Sequence, residues 1–198
     1  VAKAKADGEI AGPVRALTFG GQTSVTIPPG APMLSDPISL KLDSLSTLSI
    51  SAYFPGETGP CTCHNRGEQT AYVSEPGDFT KGPFTAKETI TARAFLSGVD
   101  VETEWGKTIV VLGDSISDGY RSTVDANARW PDRLAERFAE RWPKEGWGVV
   151  NMGISGNRIL SGGMGDAALT RLDRDVLAVP GAAYLIVFEG VNDVGMGS

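Results

Sequence analysis

Residues 108–119 read Thr-Ile-Val-Val-Leu-Gly-Asp-Ser-Ile-Ser-Asp-Gly, and this stretch decides the fold. A β-branched apolar run ends abruptly at Gly113-Asp114-Ser115. The pattern predicts a buried strand with Ser115 at its carboxyl end, where open α/β sheets hold their chemistry. A continuous apolar run, rather than an alternating one, is typical of a parallel sheet that is covered on both faces.

Two more apolar strands follow along the chain, at residues 148–151 and 184–188. Between the strands, apolar residues recur at helical spacing over 130–142, and again over 169–176 before Pro180. Strand, helix, strand, helix, strand predicts a doubly wound α/β unit with right-handed crossovers. Three strands make a narrow sheet for this class, so we expect the α/β domain to be incomplete in this chain.

The first half of the chain has a different pattern. Short apolar stretches at 17–19, 25–27 and 40–42, and a strictly alternating one at 48–54, are separated by Pro and Gly turns. This spacing predicts a small β-rich, sandwich-like domain. We therefore place an N-terminal β-rich domain at residues 1–105 and the α/β domain at 106–198, with long loops over 55–82.

Composition and charge exclude several classes of protein. The net charge of −6 argues against binding to nucleic acid or to anionic membranes, and no apolar run is long enough to span a bilayer. Cys61, Cys63 and His64 are too few and too close for a zinc site, so we expect neither a metal nor another cofactor. Because one residue between two cysteines strains a mutual disulfide, we expect Cys61 and Cys63 to pair with cysteines outside the chain.

Each of the three predicted parallel strands ends in a polar cluster, at residues 113–115, 151–157 and 189–193. Parallel strands bring their carboxyl ends to one edge, so these clusters are expected to converge. Ser115 is then a candidate nucleophile, and its N–H, the N–H of Gly153 and the side chain of Asn192 are candidate donors to an oxyanion. A serine alone could equally be a helix cap, and it is the combination that favours catalysis.

These clusters resemble blocks I, II and III of the SGNH (GDSL-type) hydrolases. The resemblance extends from about residue 107 to 193, and it implies a flavodoxin-like three-layer fold, with Ser115 as nucleophile and Gly153 and Asn192 as oxyanion donors. Stretches at 17–21, 27–30, 35–37 and 95–101 resemble a two-domain subfamily of these esterases, in which a β-rich domain precedes the hydrolase and further strands precede Val1. That subfamily implies a secreted protein, extracellular or periplasmic.

The family's Asp-x-x-His block, which supplies the general base, is absent from this sequence. The one histidine, His64, could reach in as the base, but a Gly/Pro-rich loop with nothing to orient the ring favours a loop histidine bordering the pocket. We therefore predict a second chain, made by cleavage near the exposed loop 195–198, that carries the C-terminal part of the domain.

The sequence thus predicts a serine ester hydrolase that works through an acyl-serine intermediate. Its substrate would be a short-chain small-molecule or carbohydrate ester. The alternative is a catalytically dead hydrolase core that serves as a carbohydrate- or partner-binding module.

Overall fold

The computed structural model describes residues 1–5, 9–81 and 83–195. The chain forms two compact units. The first comprises Val1–Thr58 and Ser74–Ala86, and the second comprises Gly59–Val73 and Lys87–Ser198. The domain boundary that we placed between residues 105 and 106 stays a prediction.

Little regular structure forms in the first half of the chain. Strands β1 (Ala2–Ala4) and β2 (Thr47–Ser49) pair antiparallel, with Ala2 opposite Ser49. The strands predicted at 17–19, 25–27 and 40–42 are not present, and the one predicted at 48–54 is reduced to β2. Val25 and Ile27 are 36% and 49% exposed, so the alternating pattern there lacks a partner surface that would hold it as a strand. No sandwich forms among the described residues.

Four more short strands follow: β3 (Cys63–His64), β4 (Ala71–Ser74), β5 (Ala86–Ile90) and β6 (Arg93–Ala94). β3 pairs antiparallel with β6, and β4 pairs with β5. The predicted loop 55–82 therefore contains two strands, and its last residue, Gly82, lies outside the described residues. Cys61 and Cys63 are joined to each other, which corrects the expectation of outside partners; their Cα atoms are 5.4 Å apart, within the range that a disulfide spans.

The second unit contains the predicted parallel sheet. Strands β7 (Lys107–Gly113), β8 (Trp147–Gly153) and β9 (Ala182–Phe188) lie in the order β8-β7-β9, and both outer strands run parallel to β7. All three predicted strands are thus confirmed. In the register of the sheet, Gly113 lies opposite both Gly153 and Phe188, so the three carboxyl ends meet at one edge.

Helices α1 (Ser115–Asp118) and α2 (Trp130–Arg141) lie between β7 and β8, and a π-helical turn at Asp173–Leu177 lies between β8 and β9. Helix α3 (Val191–Gly195) follows β9. α2 is the helix predicted from periodicity, with Pro131 in its first turn, where a missing N–H is harmless. The second predicted helix is shortened to the π-helical turn, and its Val176 packs with Val110, Leu112 and Ala168 in the core.

Candidate active site

Ser115 is the first residue of α1, directly after the turn that leaves β7. The cap of this helix is provided by Asp114, whose carboxylate accepts from the Ile116 N–H at 2.9 Å. A Cβ on Gly113 would collide with the Ser117 side chain and with the Phe188 carbonyl, so only glycine allows so tight a turn. Ser115 itself is half-buried, and neither its Oγ nor its N–H has a hydrogen-bond partner among the described residues.

Gly153 ends β8 and lies directly against α1. A Cβ there would collide with backbone atoms of Ser117 and Asp118, which makes this glycine a requirement of packing. Its N–H donates to Asn151 Oδ1 at 3.0 Å, and Asn151 Nδ2 donates in turn to the Ser117 carbonyl at 2.7 Å. The donor that the sequence assigned to an oxyanion therefore already has a protein acceptor.

The loop after β8 offers another backbone donor. Within the described part of the chain, the N–H of Gly156 has no hydrogen-bond acceptor. The next residue, Asn157, is buried, and its carbonyl accepts from Asn192 Nδ2 at 2.9 Å. Asn192, in α3, thus lies against the loop that follows Gly153, and one of its two amide hydrogens points to Asn157.

Arg171 is a structural residue of the site that the sequence did not reveal. Its guanidinium is fully buried and donates to the carbonyls of Gly113 (3.3 Å) and Met152 (2.7 Å), at the ends of β7 and β8. It also donates to Asn157 Oδ1 at 2.9 Å and pairs with Asp175 at 2.9 Å. One side chain therefore joins the ends of β7 and β8 and the loop that follows β8. Arg171 lies off the apolar face that Leu169, Leu172 and Val176 define, so the helical pattern over 169–176 did not point to it.

The ring of His64 is oriented by a hydrogen-bond partner, whereas the sequence predicted a loop histidine with nothing to orient it. Its Nε2 lies 2.6 Å from Oδ1 of Asp118, the last residue of α1, and the Asp118 side chain is only 2% exposed. Asp118 Oδ2 accepts from both the N–H of Ser155, at 3.0 Å, and its hydroxyl. Burial would raise the pKa of Asp118, but the hydrogen bonds from His64 and Ser155 and the His64 charge outweigh it, and the pKa lies below its ordinary value.

Residues 111–198 match the GDSL-like lipase/acylhydrolase family. No curated protein matches the chain significantly. Two solved structures are similar to it, AlinE4, described as an SGNH-hydrolase family esterase, and a point mutant of the same esterase. Each is 25% identical with a TM-score of 0.39, over 48% of this chain and 46% of that one. The chain thus spans less than half the length of these structures.

The GDSL-like segment also contains an unusual acidic residue. Both carboxylate oxygens of Glu189, directly after β9, are buried without a hydrogen-bond partner among the described residues. Burial, and next the charge of Asp114, raise its pKa above the ordinary value, although the charge of Arg171 partly favours the charged form.

Two absences hold for residues 1–5, 9–81 and 83–195, the part of the chain that the structure describes. No group of three or more His, Cys, Asp or Glu side chains is arranged to hold a metal ion. No helix is both long enough and apolar enough to cross a bilayer.

Proposed function

We propose that this protein is a serine ester hydrolase that works through an acyl-serine intermediate on Ser115. The observation that carries the proposal is the state of Ser115 at the start of α1. Because Asp114 caps the helix, the Ser115 hydroxyl and N–H have no hydrogen-bond partner in the described part of the chain, at the edge where three strands end. A reacting carbonyl needs such a hydroxyl and such a donor side by side.

The reaction would proceed in two steps. The Ser115 Oγ attacks the ester carbonyl and forms a C–O bond, while a general base takes its proton. Collapse of the tetrahedral intermediate breaks the bond to the alcohol, which leaves with that proton. Water then attacks the acyl-serine by the same route, which releases the acid and restores Ser115.

The developing oxyanion needs donors with no competing acceptor. We assign them to the N–H groups of Ser115 and Gly156 and to the second amide hydrogen of Asn192. Gly156 replaces Gly153 in this assignment, because the Gly153 N–H already donates to Asn151. The glycine at 153 is explained by its close contact with α1.

For the base we propose a histidine of a second polypeptide that completes the domain. Strand β9 supports this, because its apolar side chains are exposed: Tyr184 60%, Leu185 43%, Val187 61% and Phe188 47%. Exposed apolar surface of this kind is typical of an interface. The expected loop at 195–198, where we placed the cleavage, lies outside the described residues beyond Gly195.

The substrate class follows from the family resemblance. We propose a short-chain ester of a small molecule or of a carbohydrate, hydrolysed outside the cytoplasm, in the periplasm or the extracellular space. The GDSL-like family match supports an acyl ester in general.

The test is Ser115→Ala in the full-length protein. Since the substitution removes the nucleophile, we expect kcat for p-nitrophenyl acetate to fall by more than about 10³-fold. The matched control is Ser97→Ala, at an exposed serine, which should leave kcat unchanged. An organophosphonate should also react covalently with the wild type and add the mass of one phosphonyl group per chain. It should add none to Ser115→Ala.

Undiminished hydrolysis by Ser115→Ala would refute the proposal. Absence of both hydrolysis and labelling in the full-length wild type would favour the alternative function, a dead hydrolase core that binds a carbohydrate or a protein partner.

A further inference from the structure

Asp118 joins the helix of the nucleophile to the glycine loop through a single buried carboxylate. It is the third residue after Ser115 in α1, and its Oδ2 accepts from the N–H and hydroxyl of Ser155, at the centre of residues 154–156. Gly156, the proposed oxyanion donor, follows Ser155 directly. The position of that donor relative to Ser115 therefore depends on where the Asp118 carboxylate is held.

The other oxygen of this carboxylate is held by His64. The Nε2–Oδ1 distance is 2.6 Å, and Asp118 is almost fully buried whereas the His64 side chain is 39% exposed. A hydrogen bond to a buried carboxylate is stronger than a neutral one, and a buried charge that loses a partner is costly. Without His64, Oδ1 would lack this partner and the carboxylate could rotate away from Ser155.

The segment 63–70 that carries His64 is itself fixed to the loop after α1. His64 lies opposite Arg93 in the β3–β6 pair. Four hydrogen bonds join the segment to residues 125–127: Thr70 N to Asp125 Oδ1 (2.7 Å), Thr70 Oγ1 to Asp125 Oδ2 (2.6 Å), Asp125 N to Glu68 O (3.0 Å) and Gln69 Nε2 to Asn127 Oδ1 (2.7 Å). The ring is therefore presented to Asp118 by several independent contacts.

The same geometry argues against His64 as the general base. Its Nε2 is committed to Asp118, and the Ser115 Oγ makes no hydrogen bond to either ring nitrogen. A base must contact the proton that it removes.

We propose that His64 is a positioning residue, which acts through Asp118 and Ser155 to hold the Gly156 N–H in place for the reaction at Ser115. The proposal rests on the proposed function, because Gly156 is given its role there. It explains why a strand from the first half of the chain reaches the edge of the hydrolase sheet.

The experiment compares three variants of the full-length protein. His64→Ala removes the partner of Asp118. His64→Gln can still donate a hydrogen bond to it. Thr70→Val removes the hydrogen bond from the Thr70 hydroxyl to Asp125, keeps the one from the Thr70 backbone N–H, and leaves His64 unchanged, so it measures the effect of loosening the segment alone.

A misplaced oxyanion donor costs up to about 10²–10³-fold in turnover. We therefore expect His64→Ala to lower kcat for p-nitrophenyl acetate by about 10–100-fold, with KM changed less than about threefold. We expect His64→Gln to recover most of the loss and Thr70→Val to stay near wild type. Equal losses of kcat in His64→Ala and Thr70→Val would overturn the proposal. A loss of kcat beyond about 10⁴-fold in His64→Ala would also overturn it, because a loss of that size indicates a general base.

A second measurement does not depend on activity. Hydrogen exchange of the Ser155 amide should become at least about tenfold faster in His64→Ala but not in Thr70→Val, because the acceptor of that amide is Asp118. Unchanged exchange in His64→Ala would contradict the proposal even if activity fell. If Ser115→Ala keeps full activity, the proposed function fails while the exchange result still decides whether His64 positions the loop. Should His64→Ala not fold, His64→Phe, which fills the site but cannot donate a hydrogen bond to Asp118, supplies the same comparison.

Discussion

At Ser115 a single neighbour decides what the hydroxyl can do. A serine that follows a strand commonly caps the next helix, which would occupy its Oγ. Here Asp114 accepts from the Ile116 N–H instead, and Asp193 accepts from the Ile159 N–H at 3.0 Å. The two acids flanking the site stabilise backbone, and the serine is left available.

Glu189 provides a test at the same scale. The pKa of Glu189 is raised in the folded protein, which means that folding disfavours its charged form. This penalty on the free energy of unfolding is fully present above the folded-state pKa. It vanishes below the unfolded value near 4.5, where the carboxyl is protonated in both states. Glu189→Gln has no charge to bury. We therefore expect it to raise the free energy of unfolding at pH 7 by up to about 1 kcal/mol, and by progressively less as the pH falls toward 4.

Urea unfolding at pH 7 and pH 4 would measure this change. Glu140→Gln, at an exposed position of α2, is the matched control and should have little effect at either pH. A loss of stability at pH 7 in Glu189→Gln, or a gain that does not depend on pH, would show that the charged carboxylate of Glu189 does not destabilise the folded protein.

At the scale of elements, the contact between β8 and α1 sets the site. The backbone of α1 lies against the end of β8 so closely that residue 153 can have no Cβ, and Asn151 joins the two elements by hydrogen bonds. This contact brings Ser115 and the loop 154–156 to the same edge. The same face of α1 carries Asp118, through which His64 acts.

Gly153→Ala tests that contact. Because its Cβ would collide with the backbone of α1, which cannot move aside as a flexible side chain can, we expect the free energy of unfolding to fall by about 1–3 kcal/mol. Gly148→Ala is a matched control in the same strand, since its Cβ would meet nothing nearer than Thr108 Oγ1 at 3.8 Å. Equal stabilities of the two variants in chemical denaturation would disprove so close a contact.

At the scale of the whole molecule, the exposed apolar side chains of β9 are the feature on which the proposed second polypeptide rests. β7, the central strand, is almost entirely buried, whereas six of the seven residues of β9 are exposed. Apolar strands of a parallel sheet are normally covered on both faces. The contrast between two neighbouring strands of one sheet is what motivates the second polypeptide.

Intact-mass analysis of the protein isolated from its natural source would test this proposal. We expect a second species to co-purify with the chain under native conditions, and to contain an Asp-x-x-His segment when sequenced. Denaturing gel filtration should separate the two. A single species that matches the 198 residues alone would rule the second chain out.

The sequence by itself determined the three parallel strands, helix α2 and the three polar strand ends, because each depends on local apolar periodicity or on turn chemistry in a few neighbouring residues. Only the tertiary structure decided that His64 lies beside Asp118, from which it is 54 residues away along the chain. Arg171 and the choice between Gly153 and Gly156 likewise depended on it. Which buried donor meets which acceptor is a property of packing between distant segments, and no local pattern encodes it.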